Sequence, residues 1–318
     1  MNKKNLILGG VLIFLIVLAY AYQGPLKKWQ ANLGKPSNFL AKAETQKIDK
    51  MEIIKGGETT VLEKKDERWK VNPGEIFASR ISQGKDFYVN RGVSENLIKK
   101  LEEARIAKLE LVSVNKDKRK EFGIEDGVNV KLFQENKEMV NFIVGKSGND
   151  YLSTYLALSE GGNIYSVPVN LFDIFNQDDW RDWTVFSSDK DKIAKIRFQY
   201  PNREFTVEKK DGKWIGAAPY KFIVKNEKID EILDIMSDLT AVAIPEQNFV
   251  GTGLEKNLII VQATGEGVDN TIMIGNHSAS SGQDEGGRYY AKNGNSDNIY
   301  LITKEQRDEL DKYIWQLR

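Results

Sequence analysis

Hydrophobic and polar positions divide this chain sharply near its start. Residues Leu6 to Tyr22 carry no charge, whereas everything after Gly24 mixes apolar with charged side chains. A helix over the apolar run would span about 26 Å at about 1.5 Å per residue, just enough for a bilayer core of about 30 Å. Beyond it the period shortens. Met51 and Ile53 begin a strand, Gly56-Gly57 reads as a hairpin turn, Thr59 to Lys65 as the return strand, and Asp66-Glu67 as the turn into a third strand starting at Trp69.

The same order recurs later. Ile196, Phe198 and Tyr200 alternate, Pro201-Asn202 turns, Phe205 and Val207 sit on the return strand, and Asp211-Gly212 leads to Trp214. Glu63-Lys64-Lys65-Asp66-Glu67-Arg68-Trp69 matches Glu208-Lys209-Lys210-Asp211-Gly212-Lys213-Trp214 at five of seven positions, and a repeat of this kind sets the architecture.

A helix follows each meander. Ser94 is suited to cap one with Leu97, Ile98, Leu101 and Ala104 on one stripe, and Asn226 one with Ile229, Ile232, Leu233, Met236 and Leu239. A second strand set comes next. In the first copy these are Val128 to Leu132, Val140 to Val144 stopping at Gly145, Tyr151 to Leu158, and Asn163 to Val167. In the second they are Leu258 to Val261, Ile272 to Ile274 stopping at Gly275, Arg288 to Lys292, and Asn298 to Ile302. Each copy closes on a helix, a short one at Leu171, Ile174 and Phe175, and one opened by a Thr303/Gln306 capping box and running on through Leu310, Tyr313, Ile314 and Leu317.

The expected fold class is therefore α+β: two tandem strand-rich repeats, antiparallel meanders with helices packed on the sheet, after an N-terminal transmembrane helix. The divisions are an anchor or signal at 1–24, a linker at 25–45, a first repeat at 46–177, a junction at 178–190 and a second repeat at 191–318.

Lys3 and Lys4 ahead of the apolar run, and Ala19-Tyr20-Ala21 near its end, also fit a cleaved secretory signal. The length of the run and its bulky aromatics favour an uncleaved single-pass anchor; secretion after cleavage is the alternative. The very short leading tail places the body outside the cytoplasm, with Tyr20, Tyr22 and Trp29 at the far membrane surface, although Lys27 and Lys28 nearly balance the flanking charge.

Element order and motifs together resemble a known family. A membrane segment, a meander ending in Trp, a capped helix, Phe122-Gly123-Ile124, a strand ending in Val144-Gly145 and a late Ile164-Tyr165-Ser166-Val167 strand resemble domain-of-unknown-function family 4340 over almost the whole chain after residue 45. In the second copy the Phe-Gly-Ile step becomes Phe249-Val250-Gly251-Thr252-Gly253-Leu254, a loose equivalence. The resemblance implies association with membrane complexes, including auxiliary parts of ABC-type export and gliding systems, and implies no catalytic residues.

Composition narrows the chemistry. With 46 basic and 46 acidic residues the chain has no net field for nucleic acid, and it has no cysteine for a disulfide, thiolate nucleophile or Cys-based metal site. That absence fits an exposed bacterial compartment. Gly145-Lys146-Ser147 suggests a phosphate loop, but the glycine required upstream is Val140 and no helix is expected to follow. His277 is the lone histidine, in a Gly- and Ser-rich loop, and reads as a surface residue.

Asp284 and Glu285, or Asn293, Asn295 and Asp297, offer oxygen ligands without EF-hand spacing and read as hairpin loops. Asp178, Asp179 and Asp182 flank Trp180 and Trp183 in a segment that reads as a domain junction, or else as a sugar or peptide groove. Trp69 and Trp214, at one place in two copies, read as packing residues.

The expected function is an extracytoplasmic, non-enzymatic accessory or scaffold protein with no cofactor. Its partners would be the bilayer and a membrane-protein complex, such as an ABC-type transporter. The alternatives are an envelope glycan- or lipid-binding module using Trp180, Trp183, Tyr289 and Tyr290, and a carboxylate-dependent hydrolase.

Overall fold

Alternation in the sequence becomes two antiparallel sheets. A computed structural model describes residues 38–73, 87–256, 258–278 and 287–318. The run from Leu6 to Tyr22 lies outside these, as do Trp29, Asp284 and Glu285. Among the described residues no helix is long and apolar enough to cross a membrane.

The first sheet uses β1 (Lys50–Lys55), β2 (Glu58–Lys65), β3 (Arg68–Pro73), β4 (Phe87–Tyr88), β5 (Glu110–Ser113), β6 (Val128–Gln134), β7 (Lys137–Ser147), β8 (Thr154–Leu158) and β9 (Ile164–Val167), in the order β4-β3-β2-β1-β6-β7-β8-β9-β5. Helix α1 (Arg91–Ile106) joins β4 to β5, and the turn α2 (Phe172–Phe175) follows β9.

The second sheet uses β11 (Ile193–Tyr200), β12 (Arg203–Lys210), β13 (Lys213–Ala218), β15 (Ile259–Gly265), β16 (Val268–His277), β17 (Arg288–Asn293) and β18 (Tyr300–Thr303), in the order β13-β12-β11-β15-β16-β17-β18. Strands β10 (Thr184–Ser187) and β14 (Asp238–Thr240) pair separately, and α3 (Asn226–Ser237), α4 (Lys304–Leu310) and α5 (Ile314–Leu317) complete the strands and α-helices of the described residues, beside short 3-10 turns.

The order β3-β2-β1-β6-β7-β8-β9 and the order of the second sheet run through the same succession of hairpins. The register agrees as well: Lys64 opposes Trp69 as Lys209 opposes Trp214, and both Trp rings are buried. Their carbonyls accept from equivalent amides, Val89 N–H at 2.8 Å and Val224 N–H at 3.2 Å.

Asp66 and Glu67, Glu135 and Asn136, and Asp211 and Gly212 all have positive φ. Two-residue hairpins require this because only that backbone follows the strand twist.

Apolar stripes cover the sheets as their spacing requires. Leu97, Leu101 and Ala104 of α1 and Ile229, Ile232, Leu233 and Met236 of α3 are buried, and they share one continuous apolar core with strand residues of both sheets. The halves meet through the Phe87 ring, edge-on to Tyr300 at 6.3 Å, and through the Asp182 amide, which donates to the Tyr88 carbonyl at 2.7 Å.

Several boundaries differ from expectation, each for a local reason. Helix α1 starts at Arg91, capped by Asn90, whose side chain accepts from Gly92 N–H at 3.0 Å; Ser94 lies inside the first turn and donates its hydroxyl to the Arg91 carbonyl. Helix α3 has Lys225 at its cap, with no capping side chain, and Asn226 is its first residue. Leu239 lies beyond α3, on β14. Tyr151 and Leu152 are exposed in the turn before β8, where Asp150 accepts from the Leu152 and Ser153 amides.

Gly145 and Gly275 do not end their strands; β7 and β16 run through them. A Cβ on Gly145 would lie 2.4 Å from the Phe122 carbonyl, and one on Gly275 2.1 Å from the Thr252 carbonyl. Each glycine lets a neighbouring turn press on the strand, where Lys146 N–H donates to Phe122 at 3.1 Å and Asn276 N–H to Thr252 at 2.6 Å. Phe122-Gly123-Ile124 is therefore equivalent to Thr252-Gly253-Leu254: both glycines have positive φ, and Ile124 and Leu254 are both buried.

The last helix does not run through. It stops at Leu310 and resumes as α5 at Ile314, because the buried Tyr200 hydroxyl donates to the Leu310 carbonyl and accepts from the Lys312 amide, each at 2.8 Å. The expected Thr303/Gln306 capping box opens α4.

Candidate functional site

The break between α4 and α5 builds an exposed aromatic surface beside a cleft. Tyr313 stands at the cap of α5 and Trp315 inside it, and their rings stack at 6.4 Å and 22°. The Arg203 guanidinium, at the start of β12, lies 3.6 Å from the Tyr200 ring centroid and 3.9 Å from that of Tyr313. A delocalised cation held between two ring faces fixes the Tyr313 ring. Asp311 holds Arg203 in turn and also pairs with Arg307, whose guanidinium sits 5.4 Å from the Tyr289 ring. Burial pushes the Tyr200 phenol up to about 12, so it stays a neutral donor to Leu310.

Beside this stack lies a cleft of about 660 Å³, lined by Arg203, Phe205, Pro219, Tyr220, Trp315 and Arg318 among others. The Ala218-Pro219 peptide is cis. Tyr220 is 65% exposed, Tyr313 48% and Trp315 70%. Exposed apolar residues are ordinary when scattered, but exposed rings gathered around one cleft mark an interaction surface. The carboxylate of the cleft, Glu204, accepts from Arg197 Nε at 2.8 Å, which keeps its pKa below the ordinary carboxylate value. The lining presents π faces, guanidinium groups and a carboxylate already held by an arginine. Such a surface stacks on flat or puckered apolar groups and orients them by hydrogen bonds.

The residues singled out in the sequence stand elsewhere. Trp180 is buried and packs on Phe175 at 6.5 Å between ring centroids. Trp183 is 37% exposed, and its carbonyl accepts from Ala241 N–H. With one ring in the core, the two do not form a groove. Tyr289 and Tyr290 are successive on β17, so their rings leave on opposite faces of the sheet. Tyr289 meets His277 edge-on at 5.4 Å, and His277 is the last residue of β16, not a loop residue.

The junction acids are dispersed. Asp178 pairs with Lys55 at 2.6 Å, which lowers its pKa; Asp179 takes Arg181; Asp182 accepts from Thr184 N–H and Asn90 Nδ2. Gly145, Lys146 and Ser147 are strand residues with no helix behind them. In the Asn293–Asp297 loop, Asn293 accepts from the Asn295 amide and Asp297 pairs with Lys292. Among the described residues no group of three or more His, Cys, Asp or Glu is placed to hold a metal ion.

Sequence reasoning missed the cleft because Tyr313, Ile314 and Leu317 fit a helical stripe. The available signal was the spacing of Tyr313 and Trp315, two apart, which a continuous helix would send to different sides.

No curated protein and no solved structure matches the chain. The sequence profile of a domain of unknown function, DUF4340, matches it once, over residues 80–256, a match that begins inside the first half, crosses the junction and ends in the second. As that match covers more than half of the chain, the protein belongs to the DUF4340 family.

Proposed function

We propose that this protein is a membrane-anchored, extracytoplasmic accessory subunit that acts by binding rather than by catalysis. In this reading the apolar run at Leu6 to Tyr22 tethers a duplicated body to the membrane. The identical succession of seven strands in the two sheets supports duplication of one unit. The cleft on the second sheet holds an extended segment of a membrane-complex partner, such as an ABC-type transporter. The observation that carries the binding role is the set of outward rings, Tyr220, Tyr313 and Trp315, of which Tyr313 is held by Arg203 and Trp315 stacks on Tyr313. Fixed exposed aromatics lose little conformational entropy on contact and are typical anchors of recognition surfaces.

The test uses the full chain in its membrane. A photo-crosslinking residue at position 315 should capture a specific membrane protein, and Tyr220→Ala should remove that adduct while leaving the melting temperature unchanged. An adduct that persists in Tyr220→Ala, or a chain released intact into the soluble fraction, would overturn this reading. A second reading, an envelope glycan in the same cleft, is favoured by the outward Tyr313–Trp315 stack, a surface suited to a sugar ring. It predicts stabilisation by cell-wall oligosaccharides that Trp315→Ala abolishes.

A further inference from the structure

Asn38 and Phe39 join the N-terminal segment to the body beside the outermost strand of the first sheet. The Asn38 side-chain amide donates to the carbonyls of Ala104, Arg105 and Ala107, at the end of α1, at 2.7–2.9 Å. The Phe39 ring lies 5.9 Å from that of Tyr165, and Tyr165 opposes Leu111 of β5. Residues 23–37 alone separate this entry from the apolar run that ends at Tyr22. At no more than about 3.6 Å per residue they keep the entry within about 50 Å of whatever holds that run. The side of the body bearing the end of α1 and β5 is therefore the one tied closest to the tether.

On that side the stretch 106–120 leaves Ile106, Leu111, Val112 and Val114 exposed. It carries five basic residues, Lys108, Lys116, Lys118, Arg119 and Lys120, against two acidic ones, Glu110 and Asp117, in a chain whose charges balance. Lys108 and Lys118 make only long pairs, 3.9 Å to Glu110 and 3.8 Å to Glu121, and among the described residues no carboxylate pairs with Lys116 or Lys120. A bulge between Leu111 and Ser113 bends β5 and blunts its edge for strand pairing, so the side chains are what this edge offers. The second half has no such surface. Its corresponding stretch, Ala241 to Gly253, contains no basic residue, and of its large apolar residues only Val250 is exposed. The repeated fold does not require the feature; it belongs to the half that carries the tether.

We propose that this face of the first half rests on a bilayer bearing anionic headgroups. The inference rests on the reading of Leu6 to Tyr22 as a membrane anchor and adds a second contact, which orients the body. The exposed aliphatics enter the boundary between headgroups and acyl chains, and the lysines meet lipid phosphates, the division of labour of an interfacial surface. Leu111 and Val112 are successive on an edge strand, so their side chains flank the edge on both sides, and a fluid surface can cover both. The contact need not be strong, because the anchor already holds the face at high local concentration.

The chain lacks cysteine, so one introduced thiol reports one position. The full chain is reconstituted into vesicles of phosphatidylcholine and phosphatidylglycerol. A fluorophore on Val114→Cys should be quenched by spin-labelled lipid at least about threefold more than one on Val250→Cys, an exposed control in the second half. Lys116→Gln with Lys120→Gln should lower that quenching at unchanged melting temperature, and so should leaving out phosphatidylglycerol. Equal quenching at positions 114 and 250, in a chain that still floats with the vesicles, overturns this inference and leaves the anchor standing. A chain that does not float overturns the anchor reading and this inference with it. Quenching that is the same in neutral and anionic vesicles overturns the inference too. So does a label at position 114 that is shielded from aqueous iodide yet unquenched by lipid, since a second copy would then cover the face.

Discussion

Tyr200→Phe tests the structural device on which the candidate cleft depends. The substitution keeps the ring, which lies against Arg203 and Phe205, and deletes only the hydroxyl. Two hydrogen bonds of 2.8 Å are lost, one to the Leu310 carbonyl and one from the Lys312 amide. Each such bond is worth about 1 kcal/mol net, and a buried group left without a partner raises that to about 1–3 kcal/mol. The expected loss is therefore about 2–4 kcal/mol, read as a lower urea midpoint at unchanged slope.

The pH dependence gives a second, sharper reading. The folded phenol is pushed up to about 12, from an ordinary value near 10. A group whose folded pKa is raised contributes its full stability below its unfolded pKa and loses it as pH rises through the folded one. Wild type should thus lose up to about 2–3 kcal/mol more stability than Tyr200→Phe between about pH 10 and pH 12, the remaining alkaline loss in the variant coming from groups such as Tyr300, whose phenol burial also pushes up. Trp315 fluorescence follows the same segment, and it should become more mobile in the variant as Tyr313 loses its seat. Equal urea midpoints at pH 7, or alkaline curves that stay parallel in the two proteins, would refute the assignment of the helix break to this hydroxyl.

Other outcomes follow from the fold. Trp69→Ala and Trp214→Ala should each destabilise the protein by about 3–5 kcal/mol in thermal or chemical denaturation, since both rings are buried at equivalent places. Asn38→Ala should cost about 1–3 kcal/mol, because its amide nitrogen serves the carbonyls of Ala104, Arg105 and Ala107 at 2.7–2.9 Å, where α1 has run out of its own donors. Gly275→Ala should destabilise by at least about 2 kcal/mol, as the added carbon would stand 2.1 Å from the Thr252 carbonyl; a melting temperature equal to wild type would mean the turn retreats freely. Trp180→Ala should reduce stability, because its ring is in the core; loss of ligand binding at unchanged stability would instead return it to a site.

Local rules by themselves determined much of this protein. Alternation and paired turn residues placed the hairpins, because a two-residue turn such as Asp66-Glu67 needs positive φ regardless of what surrounds it. The repeated Glu-Lys-Lys-Asp…Trp segment marked equivalent registers, since strand period 2 sends the same side chains to the same face. The Thr303/Gln306 box marked a helix start for a similar reason, all of its bonds lying within one turn.

Tertiary structure decided the rest, wherever a distant atom overrode a local preference. Tyr200, far away in sequence, ended the last helix at Leu310 and turned an expected apolar stripe into the exposed Tyr313–Trp315 stack. The Phe122 carbonyl made Gly145 a site of close approach instead of a strand end. Trp180 entered the core while Trp183 stayed part-exposed, a choice set by which side of the junction faces the sheets. Periodicity and turns involve neighbours along the chain, so they can be read from sequence; the cleft is made by groups from strand, loop and terminal helix that only folding brings together.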